Sequence, residues 1–188
     1  MKNILILGTC RTGKTTFSKM LQKELDNYQI LEVDSIISAL QRTFDDIEIG
    51  FIHDNLENNK LTEFMSILLE KFQVRLGNEY RFIINSDSIL PEDLIKYFDL
   101  DNTIVYYFVS PNLTVDEIVE NCRNYDNLNQ WTTKRTDEQL SNHLKIAKDF
   151  EIKIIEQCKK YNIKCIDTSH NREIIFKQLL DDIKSILN

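Results

Sequence analysis

The chain has 188 residues, enough for one well-cored domain and short for two. Its 30 acidic residues outnumber 23 basic ones, for a formal net charge of −7, and no dense Lys/Arg run occurs, which speaks against a nucleic-acid-binding surface. No apolar stretch approaches membrane-spanning length, and Cys10, Cys122, Cys158 and Cys165 form no C-x-x-C pair and no metal-ligand spacing with histidine, so neither a membrane anchor nor a zinc site is expected.

The first element is the apolar run Ile4–Leu7, which reads as a buried strand. Directly after it, Gly8-Thr9-Cys10-Arg11-Thr12-Gly13-Lys14-Thr15 spells G-x-x-x-x-G-K-T, and the stripe Phe17, Met20, Leu21, Leu25 then marks a helix beginning near Thr16. Strand, glycine-bearing loop and helix in this order are the context of a phosphate-binding P-loop. The chain has four glycines, and two of them occupy the fixed positions of this motif. Glycine lets successive backbone N–H groups turn inward around an anion, and the helix N-terminus adds its dipole. Lys14 is the candidate cation for the β- and γ-phosphates, and the Thr15 hydroxyl the candidate Mg²⁺ ligand. Arg11 either helps hold the γ-phosphate or points to solvent. Cys10 either has a thiol activated beside the helix N-terminus or fills space under the loop.

The second strand, Tyr28–Val33, ends at Asp34, which either N-caps a helix Ser35–Phe44 or faces the cleft as a carboxylate for an acceptor hydroxyl. Arg42, farther along that helix, is a candidate for an acceptor phosphate. A polar stretch, Asp45–Asn59, precedes a strongly one-sided helix carrying Leu61, Phe64, Met65, Leu68, Leu69, Phe72 and Leu76. The third strand, Tyr80–Ile84, is followed by Asn85-Ser86-Asp87, where Asp87 is the candidate second Mg²⁺ ligand or a turn residue before Pro91.

The fourth strand, Thr103–Val109, leads through Ser110-Pro111-Asn112 into a helix ending near Arg123. Residues 123–136 are polar and cation-bearing around Trp131, the pattern of a mobile lid that brings Arg123 or Arg135 onto a transferring phosphate. A surface loop anchored by Trp131 is the plainer alternative. The fifth strand, Tyr161–Ile166, runs into Asp167-Thr168-Ser169-His170-Asn171-Arg172, where Arg172 flanks the nucleotide base or the loop simply caps the final helix. That helix carries Ile175, Leu179, Ile183 and Ile186. His53, His143 and His170 show no dyad spacing and read as surface or packing residues.

Alternating strands and helices imply a three-layer α/β/α domain with a parallel sheet and ligands at its carboxyl edge. The P-loop, Asp34, the arginine-bearing segment from Arg123 and the Asp167-Thr168-Ser169 strand end together resemble the nucleoside-monophosphate-kinase-like group of small P-loop kinases, which includes adenylate, shikimate and gluconate kinases. That resemblance implies a five-stranded parallel sheet, ATP and Mg²⁺, and transfer of the γ-phosphoryl group to a small acceptor. It further implies catalytic roles for Lys14, Asp34, Arg123 and Arg135, nucleotide contacts from Gly8 through Thr16 and from Arg172, and metal contacts at Thr15 and Asp87. Two departures stand out. Asn85-Ser86-Asp87-Ser88-Ile89 replaces the Asp-Gly-Phe-Pro-Arg-like run of adenylate kinases, and the glycine-rich acceptor loop of shikimate kinases is missing.

A GTPase switch would carry an Asn-Lys-x-Asp run, which does not occur, and a motor-type ATPase would end an apolar strand in Asp-Glu, for which Asp116-Glu117 is the only candidate. A regulatory protein that holds ATP without an acceptor is the alternative to a kinase. A cytoplasmic monomer or homodimer is expected, with no nucleic-acid or membrane partner.

Overall fold

A computed structural model of the chain describes residues 2–54, 56–128 and 130–187. Met1, Asn55 and Asn129 therefore lie outside the described residues, the last two within the polar stretches noted above, as does Asn188. Five strands are seen: β1 (Asn3–Gly8), β2 (Tyr28–Glu32), β3 (Arg81–Ser86), β4 (Thr103–Val109) and β5 (Cys165–Asp167). The helices are α1 (Lys14–Glu24), α2 (Val33–Thr43), α3 (Leu61–Leu76), α4 (Pro91–Tyr97), α5 (Val115–Tyr125), α6 (Asp137–Tyr161) and α7 (Arg172–Leu187). All strand pairs are parallel, in the order β2-β3-β1-β4-β5. The expected five-stranded α/β/α sandwich is what forms. No helix among the described residues is long and apolar enough to cross a membrane.

β1 lies at the centre and is buried along its whole length, so its sequence is continuously apolar rather than alternating. Its side chains nonetheless divide by face. Leu5 and Leu7 join the core beneath α2, α3, α4 and α6, with Val33, Ile37, Met65, Ile84 and Leu94. Ile4 and Ile6 join the opposite core beneath α1 and α7, with Phe17, Leu21, Phe108, Phe176 and Leu180. A smaller cluster, Ile118, Cys122, Leu140 and Leu144, glues α5 to α6.

Three boundaries differ from expectation. α2 begins at Val33, so Asp34 sits inside the first helical turn and is not the capping residue. β3 runs on through Asn85 and Ser86, because both are buried and pair with β1. β5 is only three residues, Cys165–Asp167, whereas Tyr161 closes the 25-residue α6. Asn162, with φ 53°, terminates that helix in the left-handed conformation asparagine tolerates. Register places Glu32 beside Asn85, Leu7 beside Ser86 and Val109 beside Asp167, so all five strands deliver their ends to one edge. Functional side chains gather there.

Candidate active site

The residues from Gly8 to Thr15 wrap the N-terminus of α1. Gly8 has φ 121°, and a Cβ there would lie 2.0 Å from the Phe108 carbonyl oxygen of β4. Gly13, at φ 90°, sits just ahead of α1 and rests over Phe176, whose ring would meet an added Cβ at 2.8 Å. Both glycines are thus required by close approach as well as by conformation. Arg11 also takes a left-handed φ, 66°. Inside the loop, the Lys14 ammonium donates to the Thr9 carbonyl at 2.7 Å and the Thr12 hydroxyl to the same oxygen at 2.8 Å. From beyond β5, the Thr168 hydroxyl donates to the Thr12 carbonyl at 2.9 Å, and Arg172 donates to the carbonyls of Thr168 and Arg11 at 2.7 and 3.0 Å.

Thr15 turns its hydroxyl toward β3. Asn85 donates through Nδ2 to Thr15 Oγ1 at 3.0 Å and to Glu32 Oε1 at 3.1 Å. Asn85 therefore stands where a strand-end aspartate would be sought, and the carboxylate that shares its amide with Thr15 is Glu32, from the neighbouring strand. Burial pushes the Glu32 carboxyl above its usual value, opposed by the Asn85 bond and the charges of Lys14 and Lys19. Asp34 lies two residues on, in the first turn of α2. Its carboxyl is pushed up to about 7, first by burial, then by the charges of Asp87 and Glu32, with Lys14 opposing. Asp34 Oδ1 is buried and accepts no hydrogen bond among the described residues.

Asp87 is not among the residues that line the cleft with Thr15. It accepts from Ser88 Oγ at 2.9 Å and lines a separate narrow pocket with Thr9, Cys10, His53 and His143. Cys10 is no activated thiol: burial and the Asp87 charge push it up to about 12. It packs against the cluster between α5 and α6. His53 and His143 are packing residues as expected, their rings 5.5 Å apart and edge-on, with Trp131 edge-on to His143 at 4.8 Å. Burial, Arg135 and His53 push His143 below its usual value, with Asp87 opposing.

Two adjoining clefts open over the loop. One, of about 560 Å³, is lined by Lys14, Thr15, Lys19, Asp34 and Trp131; the other, of about 570 Å³, by Leu113, Ile118, His170 and Asn171. Arg11, Tyr125 and Arg172 line both. Arg11 forms an ion pair with Asp126 and donates to Gln130 Oε1 at 3.1 Å, both in the segment 123–136. Arg123 is fastened at the start of this segment, donating to Asp137 and to the carbonyls of Thr132 and Arg135, each at 2.8 Å. Arg135 lies over the Trp131 ring, 5.0 Å from its centroid. Neither Arg123 nor Arg135 lines the two clefts. Arg42 closes α2 on an exposed turn and likewise lines neither cleft. Asp116-Glu117 belongs to a helix cap, in which Glu117 accepts from the Thr114 N–H and hydroxyl, and so carries no motor-type signature.

Structures of known proteins match this chain end to end. Shikimate kinase from Bacteroides thetaiotaomicron aligns with TM-score 0.57 at 14% identity, covering 99% of this chain and 98% of that one. The chain has the fold of the small P-loop kinases. A gluconokinase from Sinorhizobium meliloti aligns at TM-score 0.54 and 10% identity over 98% and 93% of the two chains, and the tunicamycin resistance protein of Deinococcus radiodurans at 0.54 and 14% over 97% and 96%. No family model and no curated protein sequence matches the chain. Within this P-loop kinase fold, sequence reasoning missed Glu32, Tyr125 and Thr168. Glu32 had a signal: it precedes Asp34 by two positions at the same strand end. Tyr125 and Thr168 had none, since a tyrosine or threonine in a polar segment carries no mark of a neighbour more than a hundred residues away.

Proposed function

We propose that the protein is an ATP-dependent phosphotransferase acting on a small hydroxyl compound. The observation that carries this reading is the buried, unpartnered Asp34 oxygen in the same cleft wall as Lys14 and Thr15. A protein that merely held nucleotide would have no use for a desolvated carboxylate there, whereas phosphoryl transfer needs one to orient an attacking hydroxyl.

On this reading Lys14, held at the Thr9 carbonyl, turns its remaining donors to phosphate oxygens, and the N–H groups from Gly8 to Thr16 cradle them. Arg11 and Arg172 flank the phosphates, and Tyr125 with Arg172 borders the base in the second cleft. The residues fit Mg²⁺, which favours one or two carboxylates plus phosphate oxygens over an all-protein cage: Thr15 and Glu32, braced by Asn85, are the holders, with Asp87 on the acceptor side. When bound, the ion would neutralise charge on the transferring phosphoryl group. Asp34 accepts a hydrogen bond from the acceptor hydroxyl and fixes its line of approach. Arg123 and Arg135 serve through the lid, Arg123 by fixing its base and Arg135 by holding Trp131 over the cleft, which excludes water from the reacting phosphate. A cytosolic location fits the four free thiols.

The test is a pooled panel of nucleosides, nucleotides, sugars and hydroxy acids with γ-labelled ATP and Mg²⁺. Label should appear on one compound, and Lys14→Ala should lower its formation by about 1,000-fold, the scale of losing a preorganised charge at a transferring phosphoryl. Label released only as inorganic phosphate would identify an ATPase or a nucleotide-holding regulator.

A further inference from the structure

Helix α6 carries a buried carboxylate that its amphipathic pattern does not call for. Glu151 is 3% exposed, on a helix whose other inward residues include Leu140, Leu144 and Ile154. A carboxylate in that position is tolerated only if donors surround it. Glu151 has them from three elements. Its Oε2 accepts from the Thr9 hydroxyl at 3.1 Å, from the Ser110 N–H at 2.6 Å and from the Ser110 hydroxyl at 3.4 Å. Its Oε1 accepts from the Lys148 ammonium at 2.7 Å, and Lys148 also donates to the Ser110 carbonyl at 2.5 Å.

Thr9 is the first residue of the loop after Gly8. Its N–H donates to the Phe108 carbonyl at 3.2 Å, so the backbone is held on one side by β4 and the side chain on the other by α6. Its own carbonyl receives both Lys14 and Thr12. The residue that Glu151 grips is therefore the one whose carbonyl places the phosphate-binding lysine. A buried ion pair of this kind is a poor source of stability, because apolar residues of the same volume do as well or better. What it supplies is a fixed position.

We propose that Glu151, neutralised by Lys148, is a positioning residue for the phosphate grip: it sets the Thr9 backbone, and through it Lys14, in the geometry that receives the phosphates of the nucleotide. This rests on the nucleotide-binding reading above. Preorganisation of this kind shows up as affinity, since the free protein has already met the ordering requirement.

The experiment is calorimetric titration of Mg–ATP into the full chain, each variant held well below its own unfolding temperature. Thr9→Val removes only the hydroxyl, keeps the side-chain shape and leaves Glu151 its Ser110 and Lys148 bonds. It should weaken ATP binding by about tenfold, the scale of one hydrogen bond to a charged group, and Thr9→Ser should restore it to within about twofold. Glu151→Gln, which also leaves Lys148 without an opposite charge, should weaken binding further. If Thr9→Val and Glu151→Gln lower the unfolding temperature while ATP binds as in the parent protein, the network is only structural and the proposal is wrong. If Glu151→Gln fails to fold, Thr9→Val against Thr9→Ser decides alone. A parent protein that does not bind ATP at all would overturn the nucleotide reading itself, a result separable from the other two.

Discussion

The two walls of the cleft are built to different standards. On the phosphate side, the loop is braced from β4 through Phe108, from α6 through Glu151, and from the β5 end through Thr168 and Arg172. On the lid side, residues 123–136 hold themselves together mainly by their own contacts, Arg123 to the Thr132 and Arg135 carbonyls and Thr132 to Asp126, and reach the loop chiefly through Arg11. On the proposed reading, fixed groups suit the part that would meet phosphate with no reorganisation, and a segment held mostly by its own contacts suits the part that would open and close. Rigidity here is distributed by chemical task.

The sharpest way to break the comparison is to strain the rigid wall. Gly8→Ala forces a Cβ to within 2.0 Å of the Phe108 carbonyl, at a φ that disfavours it, and should destabilise the fold by about 4 kcal/mol or abolish folding. Gly77→Ala also meets a positive φ, 73° with ψ −169°, but nothing within 4 Å, and should cost only about 2 kcal/mol. Equal losses in urea unfolding would show that conformation rather than close approach fixes Gly8. On the lid side, Arg123→Ala removes three hydrogen bonds from a side chain that is 32% exposed. Its unfolding temperature should fall by only about 2 °C, while KM for ATP rises about tenfold, and a large loss of stability with unchanged KM would make the segment structural.

A pH-dependent effect lies where the walls meet. The Asp34 value of about 7 lies above its unfolded value of 3.8, so the native state holds this proton more tightly and loses stability as pH rises from about 4 to 7. In nucleotide-free, chelator-treated protein, Asp34→Asn should therefore raise the unfolding temperature by about 3 °C at pH 8 and leave it unchanged near pH 4. A difference independent of pH would mean that burial and the charges of Asp87 and Glu32 do not act on this group as described.

Much of the rigid wall was legible in the residues. A glycine at each fixed position, Lys14 and Thr15 leave little freedom, because each is demanded by backbone geometry or by the ligand's charge. The sheet was legible too, since buried parallel strands must be continuously apolar. The lid arginines were not. Their positions were found, but a guanidinium goes to whichever acceptors its neighbours expose, and Arg123 found two carbonyls and Asp137. Asp126 could not be singled out as the partner of Arg11, because they are 115 positions apart and nothing local distinguishes it from Asp137. Asp87 shows the same limit in another form. The strand-end position was found, but β3 runs two residues farther than its apolar core, which carries Asn85 to Thr15 and moves Asp87 to the next pocket.

The floor under Gly13 has a consequence for the order in which the protein becomes competent. The motif occupies the first turns of the chain, yet Phe176 lies beneath it and Arg172 reaches the Arg11 carbonyl across 161 positions. During synthesis the loop emerges early and remains unfinished until α7 has been made and docked. The loop's shape is thus a product of long-range docking as much as of its own motif, and removing α7 should loosen Gly13 and Arg11 although every residue of the motif is kept.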